Sequence, residues 1–585
     1  MYRYAQRSYL PALAAAGIVA VLSLVLCAVV ILLDPPEVHR FGSTCQIDLP
    51  TIVGAAVDVG KGNCRTASGS DSTNLTARAA LSAAFDVPSI KLRFSLLIGA
   101  LLGAPLIAFL EAFARTPYSE TIEIKSGRAI TFGDYARSRI RAFIAKRARG
   151  KTEARGLWLL PHVQLDRAQE ARNILLVGGH GSGKTAWLRG LVEQLVGRAG
   201  RTFILDVKGD MVASLPVADF ILVAVADARS WVWDVGADVT KRLQATELAA
   251  KFISAPDRDP MWGQSARAIL ADLIMYLRRR HGAVWGWPEL AALVLSSPAG
   301  IREALASIGA PSAALLKFSG TEEENRTVQS MLITLWVAAL TRVLPLAEAW
   351  EQVPHDRRFS IRHWIRHDSK LPGVLVFQKS SEYPEVSGAV GGFLIDAIAA
   401  SVLSPASRKS GAGEYAMVLD EFPELAGVAE QLPNLLALGR EAGVTTIATL
   451  QDLAQLENAY GDVRAEMILA RFGIRCILNL EDGETTQTIC EKWIKTREIR
   501  RTRERTVDEL RAGLKMAYET VKEPVVEPGS ITDDLYVSEE DGRLMIRGIV
   551  QGFGTVAVVD VPMTIWETRR AAFKPAPWLR DDWVA

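Results

Sequence analysis

The stretch that decides the fold reads Asn173-Ile-Leu-Leu-Val177, then Gly178-Gly-His-Gly-Ser-Gly183-Lys184-Thr185, then an amphipathic run from Trp187 to Val196. An apolar segment of strand length, a glycine-rich loop ending in Lys-Thr, and a helix arrive in the order of a phosphate-binding loop. Gly178, Gly179, Gly181 and Gly183 let backbone N–H groups curl around an anion, with His180 and Ser182 completing the loop. Lys184 offers a cation to β- and γ-phosphates, and Thr185 offers a hydroxyl to Mg2+. A glycine-rich turn that merely joined a strand to a helix would need neither residue. The expected ligands are therefore ATP and Mg2+.

Such a loop binds a nucleotide without hydrolysing it quickly, so a carboxylate pair is expected at the end of another buried strand. Tyr415-Ala-Met-Val-Leu-Asp420-Glu421 supplies it. Asp420 is expected to hold the Mg2+ shell, through water, and Glu421 to polarise the attacking water. Further along, Leu435 to Gly443 reads as a helix feeding the β-branched strand Val444 to Leu450, which ends at Gln451. Strand ends in a parallel α/β sheet line the ligand crevice, where an amide can sense the γ-phosphate. Arg440, just before the helix end, has two readings: interaction with the helix dipole, or an arginine reaching the nucleotide of a neighbouring subunit.

The 585 residues carry 67 Lys+Arg against 66 Asp+Glu, a net charge of +1, so a uniformly basic nucleic-acid coat is excluded and any such surface is local. Two basic runs qualify, Arg137 to Arg155 and Lys492 to Arg505. The second reads either as a solvated helix face or as a DNA or adaptor contact. Mean hydropathy is +0.14, and its strongly apolar segments are few and near the N-terminus. Leu10 to Leu33 is free of charge and would reach about 36 Å as a helix, enough to span a bilayer. It reads as an uncleaved signal-anchor following Arg3 and Arg7. A second span runs from Phe94 to Leu110, and the basic residues after it place both termini in the cytoplasm, leaving 34–93 as the outside loop. Cys45 and Cys64 both fall in that loop and are either paired or two free thiols; Cys476 and Cys490 read as buried thiols.

Together these segments resemble the type IV coupling protein family, the TraD/VirD4/TrwB group that links DNA processing to a secretion channel in bacterial conjugation. The resemblance rests on the two N-terminal spans, the loop at Gly178 to Thr185, Phe203-Ile-Leu-Asp206-Val-Lys208-Gly-Asp210, Leu419-Asp420-Glu421-Phe422, and the block from Gly439-Arg440 to Gln451. It implies an α/β fold: a RecA-like P-loop NTPase core with a mixed, mostly parallel sheet, an inserted small all-α domain and two N-terminal transmembrane helices. It also implies a homo-hexameric inner-membrane ATPase that drives relaxase-bound, single-stranded DNA toward the channel, with relaxosome proteins and channel components as partners. Carried over by position, Lys184, Thr185, Asp420 and Glu421 keep the roles above, Arg440 resembles the trans-acting arginine and Gln451 the phosphate-sensing glutamine. Lys208 has a family counterpart in position but no role.

The expected organisation is a membrane anchor at 1–115, a basic juxtamembrane segment and domain entry at 116–172, ATPase core at 173–285 and 353–505, the all-α insertion at 286–352, and a linker with a β-rich segment at 506–585. The chain ends without the long acidic or glutamine-rich tail that some family members use to dock a relaxase. The alternatives are another ring-forming membrane DNA pump (FtsK/HerA-like), a VirB4-like secretion ATPase acting on protein, and a scaffold that binds ATP without hydrolysing it. The inserted helices and the close pair of spans argue against the first two. Glu421 argues against the third, since a scaffold has no use for a water-activating carboxylate.

Overall fold

The computed structural model describes residues 16–23, 37–40, 43–46, 63–66, 95, 99, 103–110, 122–148, 155–198, 200–255, 260–317, 322–368, 370–404, 415–425, 429–503 and 517–579. The chain divides into two compact units, Met1–Gly127 with Arg497–Glu523, and Arg128–Thr496 with Pro524–Ala585.

The second unit is built on an 11-stranded sheet. In chain order its strands are β1 (Ile130–Phe132), β2 (Ile174–Val177), β3 (Arg201–Asp206), β4 (Ile221–Val223), β5 (Val374–Gln378), β6 (Tyr415–Leu419), β7 (Val444–Leu450), β8 (Ile474–Ile477), β9 (Val537–Glu540), β10 (Arg543–Gln551) and β11 (Val556–Pro562). Across the sheet β4, β5, β3, β6, β7, β2 and β8 run parallel. β10 then pairs antiparallel with β8, β11 antiparallel with β10, and β1 parallel with β11, while β9 pairs antiparallel with β10. The parallel strands are buried on both faces, which is why they read as unbroken apolar runs instead of alternating ones.

Alternate side chains enter opposite cores. Leu175, Val177, Phe203 and Leu205 join one, while Ile174, Leu176 and Ile204 join the other. The second core is covered by α1 (Gly133–Ala148) and α2 (Lys184–Val196). The first carries a helical body of α3 (Arg242–Phe252), α4 (Pro260–His281), α5 (Trp287–Val294), α6 (Pro298–Ser307), α7 (Glu322–Ala338), α8 (Leu344–Glu351) and α9 (Pro384–Val402). Its centre is aromatic: Trp233 stacks on Phe393 with centroids 4.6 Å apart, and Trp287 meets Trp233 at 5.5 Å and Trp350 at 5.7 Å. Asp238 locks this body to the segment before β5, accepting from Trp233 Nε1, Ser360 Oγ and the backbone N–H groups of Ile361 and Arg362.

The sheet departs from the sequence reading at its edge. Beyond β8 the sheet is extended by β10, β11 and β1. β1 comes from the segment expected only to enter the domain. It holds its place by pairing Ile130 to Phe132 with Val556 to Val558.

The first unit contains antiparallel strands Glu37–Arg40, Ser43–Gln46 and Asn63–Thr66, whose register sets Cys45 directly opposite Cys64. It also contains a three-stranded sheet of Ile122–Ser126, Thr496–Arg503 and Ala517–Pro524. Most of the second basic run is thus a β-strand and not a helix face. Register pairing of Ile499 with Ile124 and Arg501 with Ile122 fixes it there. The stretch read as linker contributes the strand Ala517–Pro524.

Of the two expected spans, residues 16–23 and 103–110 are helical, and the rest of each, apart from 95 and 99, lies outside the described residues. Among the described residues two helices are long and apolar enough to cross a membrane by length and composition, Asn325–Glu351 and Pro384–Val402; both contribute buried side chains to the core of the second unit.

Candidate functional site

The glycine loop joins the end of β2 to the start of α2, at the carboxyl ends of the parallel strands. Its two flanks are tied to neighbouring strand ends: Gly178 N donates to Leu450 O at 3.1 Å and Gly179 N to Asn479 O at 2.7 Å. Gly181 and Gly183 have φ of 72° and 85°, a region that side chains disfavour. A Cβ at Gly183 would also stand 2.8 Å from Ile546 of β10. His180 and Gly181 form the exposed crest, and Ser182, whose Oγ donates to Gly179 O at 2.9 Å, is buried.

Lys184 is buried at the first position of α2, with Nζ 3.1 Å from Gly178 O. Burial is the main reason its pKa falls to about 8, and the nearby charges of Asp420 and Glu421 oppose that fall. Thr185 follows it in the first helical turn.

Asp420 and Glu421 leave the end of β6, two strands from β2. Asp420 is buried and accepts from Thr449 Oγ1 at 2.8 Å; desolvation pushes its pKa up. The same Thr449 Oγ1 receives the Glu421 backbone N–H at 2.8 Å, which holds Glu421 at a φ of 55°. That left-handed turn aims the side chain away from the strand line. Glu421 Oε1 accepts from Gln451 Nε2, and it stands 2.7 Å from Lys208 Nζ. Lys208 leaves the end of β3, the direct neighbour of β6. Its turn is set by Asp206, which is fully buried, accepts from Gly209 N and Val212 N, and is shifted to a pKa of about 6 chiefly by desolvation.

The structure thus brings together Lys184, Asp420, Glu421 and Gln451 from distant parts of the sequence, with Thr185 beside them on α2. It adds Lys208, Thr449 and the supporting Ile546. A reader of the sequence could have found Lys208 only in the Asp206-Val-Lys208-Gly209 turn, where no rule assigned it a partner. Arg440 is not part of the group. It is exposed in the 3-10 turn Gly439–Ala442, before the start of β7, whereas Gln451 follows the end of that strand. Its cation acts on Arg172, whose pKa falls to about 10 through burial and the charges of Arg147 and Arg440.

The donor set fits a magnesium nucleotide. Positive φ at Gly181 and Gly183 gives the loop the backbone form of an anion-binding turn, the buried cation Lys184 follows it directly, and a hydroxyl and a carboxylate are of the oxygen-donor kind that Mg2+ prefers. No group of three or more His, Cys, Asp or Glu among the described residues could hold a metal by itself, so an ion here would depend on phosphate oxygens.

The chain resembles several solved structures. The bacterial conjugative coupling protein TrwBdeltaN70, in an unbound form, aligns with a TM-score of 0.59 and 22% identity over 78% of this chain and 96% of that one. The plasmid coupling protein TrwB in complex with ADP and Mg2+ aligns at 0.58 and 22%, over 77% and 98%. TrwB with a non-hydrolysable ATP analogue aligns at 0.57 and 21%, over 78% and 98%. No curated protein sequence matches. Residues 158–541 match the family model for the type IV secretion-system coupling protein DNA-binding domain, and the chain belongs to that family.

Proposed function

We propose that this protein is a Mg2+-dependent ATPase that drives DNA toward a type IV secretion channel from the inner membrane. The observation that carries the reading is the meeting, at adjoining strand ends, of the glycine loop, Lys184, Asp420, Glu421 and Gln451. The nucleotides in the TrwB structures support ATP as the ligand. In this reading Lys184 holds the β- and γ-phosphates, and Thr185 and Asp420 hold Mg2+, Asp420 through water. When bound, the ion neutralises charge that develops on the phosphates. Glu421 takes up a proton from the attacking water, and Gln451 orients Glu421. Arg440 would serve the nucleotide of a neighbouring copy in a homo-hexamer, since it lies across the sheet from its own loop. The cargo is a relaxase-bound single strand delivered by relaxosome proteins, and the two N-terminal spans anchor the ring with both termini cytoplasmic.

The test uses the full chain in detergent or a nanodisc. ATP turnover is expected to require Mg2+ and to rise on adding single-stranded DNA. Bound ATP with no turnover under any DNA condition would favour the scaffold reading instead.

The depressed pKa of Lys184 sets a pH dependence. Below about 8 the lysine of the empty site is already protonated, so triphosphate affinity is flat with pH. Above about 8 binding must reprotonate it, and affinity is expected to fall by up to about tenfold per pH unit until the pKa of the bound form is reached. Calorimetric titration of a non-hydrolysable ATP analogue between pH 7 and pH 9.5 reads this directly.

A further inference from the structure

Lys208 is the one cation in direct contact with the proposed water-activating carboxylate among the described residues, and nothing so far gives it a task. Its backbone is fixed, while its side chain is partly exposed up to the ion pair at the tip. Asp206 pins the following turn through Gly209 N and Val212 N. Gly209 has a φ of 81°, and a Cβ there would stand 2.8 Å from Gln378 Nε2 and 3.3 Å from Ala572 Cβ. Gln378 in turn donates to Ala572 O at 3.3 Å, so a C-terminal strap closes over the turn. The side chain that leaves this rigid base is 46% exposed, whereas Glu421 is 16% exposed. Of the two partners, the lysine has room to swing.

Its surroundings give it somewhere to go. The charges of Asp420 and Glu421 act on both Lys184 and Lys208, and the charge of Lys208 also acts on Lys184, so the two cations lie near one carboxylate pair. Lys184 approaches that pair from the loop and Lys208 from the neighbouring strand end. A triphosphate seated on the loop brings its most concentrated negative charge, the terminal phosphate, toward the carboxylates. A diphosphate does not. The amine would then have a stronger anion than the carboxylate it holds.

We propose that Lys208 is a clasp on Glu421 that responds to the terminal phosphate: it pairs with the carboxylate in the empty and diphosphate states and passes to the phosphate when a nucleoside triphosphate binds with Mg2+. Glu421 is thereby released toward water only when there is a bond to cleave. The inference rests on the nucleotide reading above and concerns the positioning of Glu421, not proton transfer itself.

Zero-length cross-linking tests it on the full chain. A water-soluble carbodiimide joins an amine and a carboxylate in ion-pair contact, and mass spectrometry quantifies the Lys208–Glu421 peptide. Its yield is expected to be high without nucleotide and with ADP and Mg2+, and to fall at least several-fold with the β,γ-imido analogue of ATP and Mg2+. Equal yields in the three states would overturn the proposal. In parallel, Lys208→Met is expected to weaken binding of the imido analogue about tenfold more than binding of ADP, with Lys208→Arg recovering most of the loss. Equal weakening of both nucleotides would mean a structural role and would also overturn it. Neither readout needs hydrolysis. A failure of Glu421 as the base would appear separately, as retained turnover in Glu421→Gln.

Discussion

Replacing Glu421 with Gln is expected to lower ATP turnover by about two to four orders of magnitude, the usual contribution of a positioned general base, while nucleotide affinity stays within a few-fold of wild type. The exchange is nearly isosteric. The backbone N–H that donates to Thr449 Oγ1 is untouched, so the left-handed turn at Glu421 survives, and with it Asp420, which shares that hydroxyl. What is lost is a group able to accept a proton, and with it the ion pair to Lys208. Steady-state turnover beside equilibrium binding of ATP separates the two. Loss of binding together with turnover would mean that Glu421 shapes the site instead of acting in it, and full turnover would remove it from the chemistry.

The second large effect is expected at Arg440. Arginines that reach a transferring phosphoryl group contribute about 10^3 to 10^5 in rate, so Arg440→Ala should approach the inactivity of a loop variant such as Lys184→Met. The diagnostic lies in mixing. Arg440 sits before β7 and the loop follows β2, its parallel neighbour, so the two lie at opposite ends of adjoining strands, and in the proposed ring the arginine serves a neighbour's site. Assemblies mixed from Arg440→Ala and Lys184→Met subunits will contain some interfaces that join an intact loop to an intact arginine. Those mixtures are expected to recover activity that neither variant has alone. Mixtures that remain as inactive as their parents would place Arg440 in the local group with Arg172 and Arg147, or in a helix-end role.

The motifs legible in the sequence were those in which chemistry and chain order coincide. Lys184 and Thr185 follow their glycines directly, Asp420 and Glu421 directly follow an apolar strand, and Gln451 ends a β-branched one. Each carries its own local context. Lys208 and Thr449 were silent because their meaning lies in lateral register. Lys208 matters because β3 lies beside β6, and Thr449 because β7 lies on the other side of β6. Ile546 was silent for the same reason, since nothing near it announces a glycine loop far upstream. β1 was hidden by its brevity inside a basic stretch. The strand Thr496–Arg503 was hidden by composition: its arginines give no apolar alternation, and pairing with Ile122–Ser126 places it where propensity would not.

The close approach of Gly183 to Ile546 also has a bearing on when the site can be completed during synthesis of the chain. The wall behind the loop belongs to β10, which needs β11 and then β1 to complete its side of the sheet. A ribosome that has already made the glycine loop, α2 and β6 has not yet made that wall. The growing polypeptide therefore holds an unfinished cradle until β10 and β11 have emerged.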